Sequence, residues 1–153
     1  MPPASQNNTT TSRLRGFFLL FLLLGMLGTT AELLLVGHTE DTWQLTPLLL
    51  IAVCFAVLAW HAARRGRASV RALQLVMLLF IASGFAGGYL HMKAKIEFQL
   101  EVNPSLAGTA LYKKALESIS PPALAPGMMI YLGLLGFAYT WRHPALNRAG
   151  EQR

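Results

Sequence analysis

The sequence predicts an all-α polytopic membrane protein, with four transmembrane helices and a short amphipathic extracytoplasmic helix. Three observations predict it. Charged residues make up 13% of the 153 residues and hydrophobic residues 54%, whereas a soluble domain carries about 25% charged residues. Four segments, about 17–37, 46–62, 72–92 and 126–142, have the length and apolar character of membrane spans. The basic residues also alternate from one side of these spans to the other. Arg13, Arg15, Arg64, Arg65, Arg67, Arg71, Arg142, Arg148 and Arg153 fall on one side, and Lys93, Lys95, Lys113 and Lys114 on the other. The positive-inside rule then puts both termini in the cytoplasm of a multi-pass protein of the cell (inner) membrane. The acidic residues oppose this pattern: all except Glu151 lie on or near the outer side.

Residues 1–12 are polar and are expected to form a disordered cytoplasmic N-terminus. The transmembrane domain then covers 13–143, and 144–153 form a cytoplasmic tail. Arg13 and Arg15, followed by Phe17–Gly28 and the small residues to Ala31, imitate a secretory signal cleaved after Ala31. The apolar run continues through Leu33–Val36, which favours an uncleaved first span.

Each span has its own signature. In span 1, Gly25, Gly28, Thr29 and Glu32 share one face at steps of three and four. Span 2 has Thr46 as an expected cap and Pro47 at the first helical position. It is apolar through Leu58 and contains Cys54, the single cysteine, read as a small core residue; disulfide exchange within the chain is excluded. Span 3 carries Gly84 and Gly88 in the small-xxx-small relation, with His91 and Lys95 continuing that face outward. Lys93 and Glu97 pair at i, i+4, and no breaker occurs before Asn103-Pro104, so this helix is expected to project past the bilayer. Asn103 and Pro104 then read as cap and first residue of an outer amphipathic helix at about 104–118. Span 4 carries Gly133 and Gly136 and ends at Trp141 and Pro144.

The most informative polar residue is Glu32. A carboxylate at such depth costs about 2.5–3.5 kcal/mol on insertion scales, so it is expected to face protein or water. With His38, Glu40, Asp41, His91 and Lys95 it forms an outer polar cluster. The leading interpretation is a polar lock of Glu32, His91 and Lys95 that fixes helix register. A divalent metal site using His38, His91 and Glu32 is a second. A proton-binding carboxylate in a transport or quinone-linked role is a third. Haem is not expected, because only His38 and His91 match in depth and His38 falls in a loop. His61 and His143, each beside arginine, read as interfacial residues.

Arg13, Arg15, Arg64, Arg65, Arg67 and Arg71 are read as topology determinants with lipid contacts. Their division among separate juxtamembrane segments argues against nucleic-acid binding. Gly25, Gly28, Gly84, Gly88, Gly133 and Gly136 are the expected helix-packing positions. No nucleophile elbow, phosphate loop, HExxH or paired-CxxC pattern occurs, so enzymatic function is not favoured. The expected role is a non-enzymatic accessory or scaffold subunit of a membrane complex, with partners in the bilayer, other membrane subunits or a second copy of itself. The alternative is an ion-, metal- or proton-handling protein with an outer-leaflet site at Glu32 and His91.

Overall fold

A computed structural model of the chain describes residues 4–37, 42–118 and 124–147. Six helices follow in order: α1 (Ala4–Leu35), α2 (Thr42–Arg64), α3 (Arg67–Val102), α4 (Gly108–Glu117), α5 (Leu124–Thr140) and the single turn α6 (Pro144–Asn147). No strand occurs among the described residues. Residues Thr9–Leu35 of α1, together with α2 and α3, make three helices long and apolar enough to cross a membrane; Ala125–Thr140 of α5 is a shorter apolar helix. The apolar character of the set is plain on its outside, where Leu20, Leu24, Leu49, Leu75, Leu78 and Phe85 are all exposed. An apolar exterior on this scale suits a hydrocarbon solvent.

Several boundaries differ from the sequence expectation. Helix α1 starts at Ala4, so residues 4–12, expected to be disordered, are helical. No proline lies between Ala4 and the apolar run that begins at Phe17, and a helix nucleated in that run extends cheaply toward the N-terminus. Thr46 does not cap α2. The helix starts at Thr42, Pro47 lies inside it, and the Thr46 hydroxyl donates to the Thr42 carbonyl at 3.4 Å. Helix α3 runs for 36 residues without a break, which is about 54 Å at 1.5 Å per residue, against about 30 Å of bilayer hydrocarbon. It ends at Asn103, as its sequence suggests, but Asn103 does not start the next helix. Its side-chain oxygen accepts from the Ser105 amide at 3.2 Å and the Ser105 hydroxyl at 2.6 Å, a local turn. Gly108, at φ +58°, then leads into α4, four residues later than expected.

The order of packing differs from the order in the chain. Helix α5 sits between α1 and α3 and packs extensively on both; α2 lies against α3 and touches α1 only lightly. Leu22 and Met26 of α1, Cys54 of α2, Met77 and Phe80 of α3, and Leu132 of α5 meet in one core. The glycines explain the close approach of α5. A Cβ added at Gly84 would lie 2.5 Å from Ile130 Cγ1 and 2.7 Å from the Pro126 carbonyl oxygen. One at Gly133 would lie 2.8 Å from the Met77 carbonyl oxygen, and one at Gly136 would overlap the Met77 side chain. Gly25 receives Leu132 from the other flank of α5, with Leu132 Cδ2 2.6 Å from an added Cβ. Gly28 and Gly88 are different: nothing lies within 4 Å of a Cβ built on either.

Candidate functional site

At the end expected to be outer, Glu32 and Lys95, both singled out in the sequence, form no ion pair with each other. Glu32 is exposed and makes no ion pair or side-chain hydrogen bond among the described residues. Lys95 is 7% exposed and donates from Nζ to the Ser118 carbonyl at 2.7 Å, tying α3 to the end of α4. His91 is half-buried one turn before Lys95. The glycine faces of spans 1 and 3, expected to meet one another, each meet α5 instead, which keeps Glu32 and Lys95 apart. His38, Glu40 and Asp41 lie outside the described residues. Among the described residues, no three His, Cys, Asp or Glu side chains gather as metal ligands would.

The opposite end carries a more complete arrangement. Three chain segments converge there: the start of α1, the α2–α3 turn and the end of α5. Helix α2 stops at Arg64, and Arg65 adopts φ +45°, a left-handed conformation that costs a non-glycine residue about 1 kcal/mol or more. Its amide donates to the His61 carbonyl at 2.8 Å, which closes the helix C-terminus. Gly66 follows in an extended conformation and α3 begins at Arg67. Ser69 holds this turn from inside. Its hydroxyl donates to the Gly66 carbonyl at 2.8 Å, and His61 Nδ1 lies 2.8 Å from the same oxygen. Because the serine proton is committed to Gly66, Ser69 Oγ accepts from His61 Nδ1–H, and His61 Nε2 is left with its lone pair.

Helix α5 ends in a similar way. Thr140 returns its hydroxyl to the Gly136 carbonyl at 3.0 Å, and Arg142 takes φ +47°. The His143 amide donates to the Thr140 carbonyl at 3.1 Å. Arg15, expected to mark topology, has a specific structural role: its guanidinium donates to the Trp141 carbonyl at 3.2 Å and to the Arg142 carbonyl at 2.5 Å. A cation bonded to the two carbonyls just past α5 also complements that helix's dipole. Pro144 opens α6, and the Ala145 amide donates to His143 Nδ1 at 3.3 Å. With Nδ1 accepting, neutral His143 carries its proton on Nε2.

These two turns bring three rings together. His61 and His143 lie 5.0 Å apart between ring centroids, edge to face. Tyr139 is 6.3 Å from His61 and 5.8 Å from His143. The rings stand at one end of a cavity of about 700 Å3, whose other walls are Leu19 and Leu23 of α1 and Phe55, Leu58, Ala59 and Ala62 of α2. Arg65, Pro144 and Ala145 complete it. That volume falls within the roughly 300–1,000 Å3 typical of small-molecule sites. The environment keeps His143 neutral: burial lowers its pKa from the ordinary 6.5, and the charges of His61 and Arg15 lower it further.

Chemically, the site combines donors with apolar walls. Arg65, Tyr139 Oη and His143 Nε2 have no acceptor among the described residues. Two imidazoles face each other with no carboxylate paired to them among the described residues. The arrangement is rich in donors; the Ser69 hydroxyl beside His61 is buried and donates to the Gly66 carbonyl, so it is not poised as a nucleophile. Sequence reasoning missed this arrangement by treating His61 and His143 separately. The available signal was that both end predicted spans on the same side, each next to arginine. No family model, curated protein or solved structure matches the chain.

Proposed function

We propose that the chain is a four-span protein of the inner membrane, with both termini cytoplasmic, acting as a non-enzymatic accessory or scaffold subunit. The fourth span in this reading is α5. It is short for a solitary span, but it is sheltered between α1 and α3 and anchored by Arg15 at its arginine-rich end. The orientation follows from the arginines gathered at that end.

One observation carries the accessory role. The small residues divide into two groups: Gly25, Gly84, Gly133 and Gly136 are filled by neighbours within the chain, whereas Gly28 and Gly88 have nothing within reach of a Cβ. Small positions on apolar helices let another helix approach closely, and these two remain open for one. Little mass lies outside the helices to do anything else.

Mild detergent extraction tests the reading. The expected particle is much heavier than 16.8 kDa plus its detergent. Gly28→Leu and Gly88→Leu should each shrink that particle and leave the helical melting transition in place. A strictly monomeric wild-type particle overturns the proposal. Orientation is tested separately, in a Cys54→Ala background, by labelling Ser12→Cys and Ser118→Cys with an impermeant maleimide in intact cells; only the second should react.

A further inference from the structure

We infer that the cavity between α1 and α2 is a binding site for one anionic glycerophospholipid, its acyl chain between the two helices and its phosphate at Arg65, Tyr139 and His143. This goes beyond the accessory role and does not require it, since a monomer would bind the lipid equally well.

The shape of the cavity comes first. Phe55, Leu58, His61 and Arg65 descend α2 in successive turns along the cavity wall, a run of about 15 Å at 1.5 Å per residue. Leu19 and Leu23 face them from α1. The space is therefore elongated along the helix axes, as a lipid chain is in a bilayer. It is apolar at depth and polar only at the arginine-rich end. Helices α1 and α2 touch each other lightly, so the crevice opens sideways, where a lipid enters without crossing water.

Charge then selects the headgroup. The guanidinium of Arg65, the Tyr139 hydroxyl and His143 Nε2–H all border the polar end and have no acceptor among the described residues. The described carboxylates, Glu32, Glu97, Glu101 and Glu117, belong to the outer ends of α1, α3 and α4, so none competes. A phosphodiester supplies acceptor oxygens to several donors at once. Arg65 is held in position by the strained turn that directs it, and Ser69 fixes the His61 ring beside it. A zwitterionic lipid would add a cationic ammonium group to an end already rich in arginine, so the anionic lipid is preferred.

The test uses the full chain reconstituted in nanodiscs of phosphatidylcholine containing a minority of phosphatidylglycerol, followed by native mass spectrometry of the released protein. Wild type should retain one phosphatidylglycerol in preference to phosphatidylcholine. Arg65→Gln should lower that retention about fivefold, the factor expected for one arginine near a headgroup. Leu58→Trp, which fills the apolar part with charge unchanged, should lower it at least as much. It carries the test if Arg65→Gln fails to fold. Arg13→Gln, at an exposed arginine outside the cavity lining, should stay within about twofold of wild type. Equal retention of the two lipids overturns the proposal. So does a loss in Arg13→Gln equal to that in Arg65→Gln, which marks general surface attraction. Release of the bound lipid by inorganic phosphate also overturns it, because it marks a site for the free anion.

Discussion

At the arginine-rich end, polar side chains from α1, α2, α3 and α5 are bonded across elements or stacked on each other. At the opposite end, Lys95 reaches α4, and Glu32 stands exposed with no partner among the described residues. Both ends carry histidine and charge, but among the described residues the side-chain bonds that span the most sequence, from Arg15 to the end of α5, lie at the arginine-rich end. The difference lies in backbone geometry. Two helices stop at the arginine end in left-handed residues and turn their last carbonyls toward donors. At the other end α1 also stops in a left-handed residue, Gly37, but its Glu32 carboxylate meets no donor there among the described residues, and α3 runs on to Val102. Polar residues bind where the chain turns back on itself.

The comparison is broken most directly by Arg15→Gln. The substitution removes the cation from the Trp141 and Arg142 carbonyls and should destabilise the bundle by about 2 kcal/mol, the range for charge-assisted hydrogen bonds. Chemical unfolding in a fixed detergent measures it, and no change in midpoint would deny the joining role of that end. Lys95→Met comes next. It keeps the bulk of the side chain and loses one bond to Ser118, so a cost of about 1 kcal/mol should appear as earlier proteolysis of α4 with the rest of the bundle intact.

Acidification gives a smaller effect, localised to the arginine end. His143 has a folded pKa below its ordinary value, through burial first and then the charges of His61 and Arg15. Among the described residues the groups around it are cationic or neutral: His61 and Arg65 from the α2 side, Arg15 from α1 and Tyr139 from α5. The unfolded chain therefore binds more protons over the interval between the two pKa values. Stability is complete above about pH 6.5 and declines as pH falls through that interval, then levels off once the folded form is also protonated. The unfolding midpoint should be lower near pH 5.5 than near pH 8, and His143→Gln should flatten the difference. The smallest effect is expected from Glu32→Gln. An exposed residue without a partner changes stability by less than about 0.5 kcal/mol, and a larger loss would restore the polar lock.

Much of the fold was legible in the chain because helices announce themselves locally. The absence of a breaker before Asn103-Pro104 predicts where α3 ends, past the span at about 72–92, and the glycine spacing identifies faces made for close packing. The choice of neighbour is not a local property. Gly25 and Gly84 read as faces that meet each other, yet both are filled from α5, whose Leu132 and Ile130 supply the matching bulk. The expected outer cluster depended on that pairing, so Glu32 and Lys95 are not joined. Thr46-Pro47 has the composition of a helix start, but the start lies at Thr42, a turn earlier. His61 and His143 became a pair only through two tertiary turns, each made by an arginine in a conformation that no propensity favours. Their shared side was visible; their 5.0 Å approach was not.

The position of α5 also bears on how the chain is made. Synthesis proceeds from the N-terminus, so α1, α2 and α3 leave the ribosome before the helix that separates α1 from α3 exists. Until then the surfaces around Gly25 and Gly84 lack the α5 side chains that fill them in the finished bundle. Closure is a late insertion, completed when Arg15 grips the carbonyls behind Thr140. A chain halted before Leu124 would be left with an open slot running the length of its core.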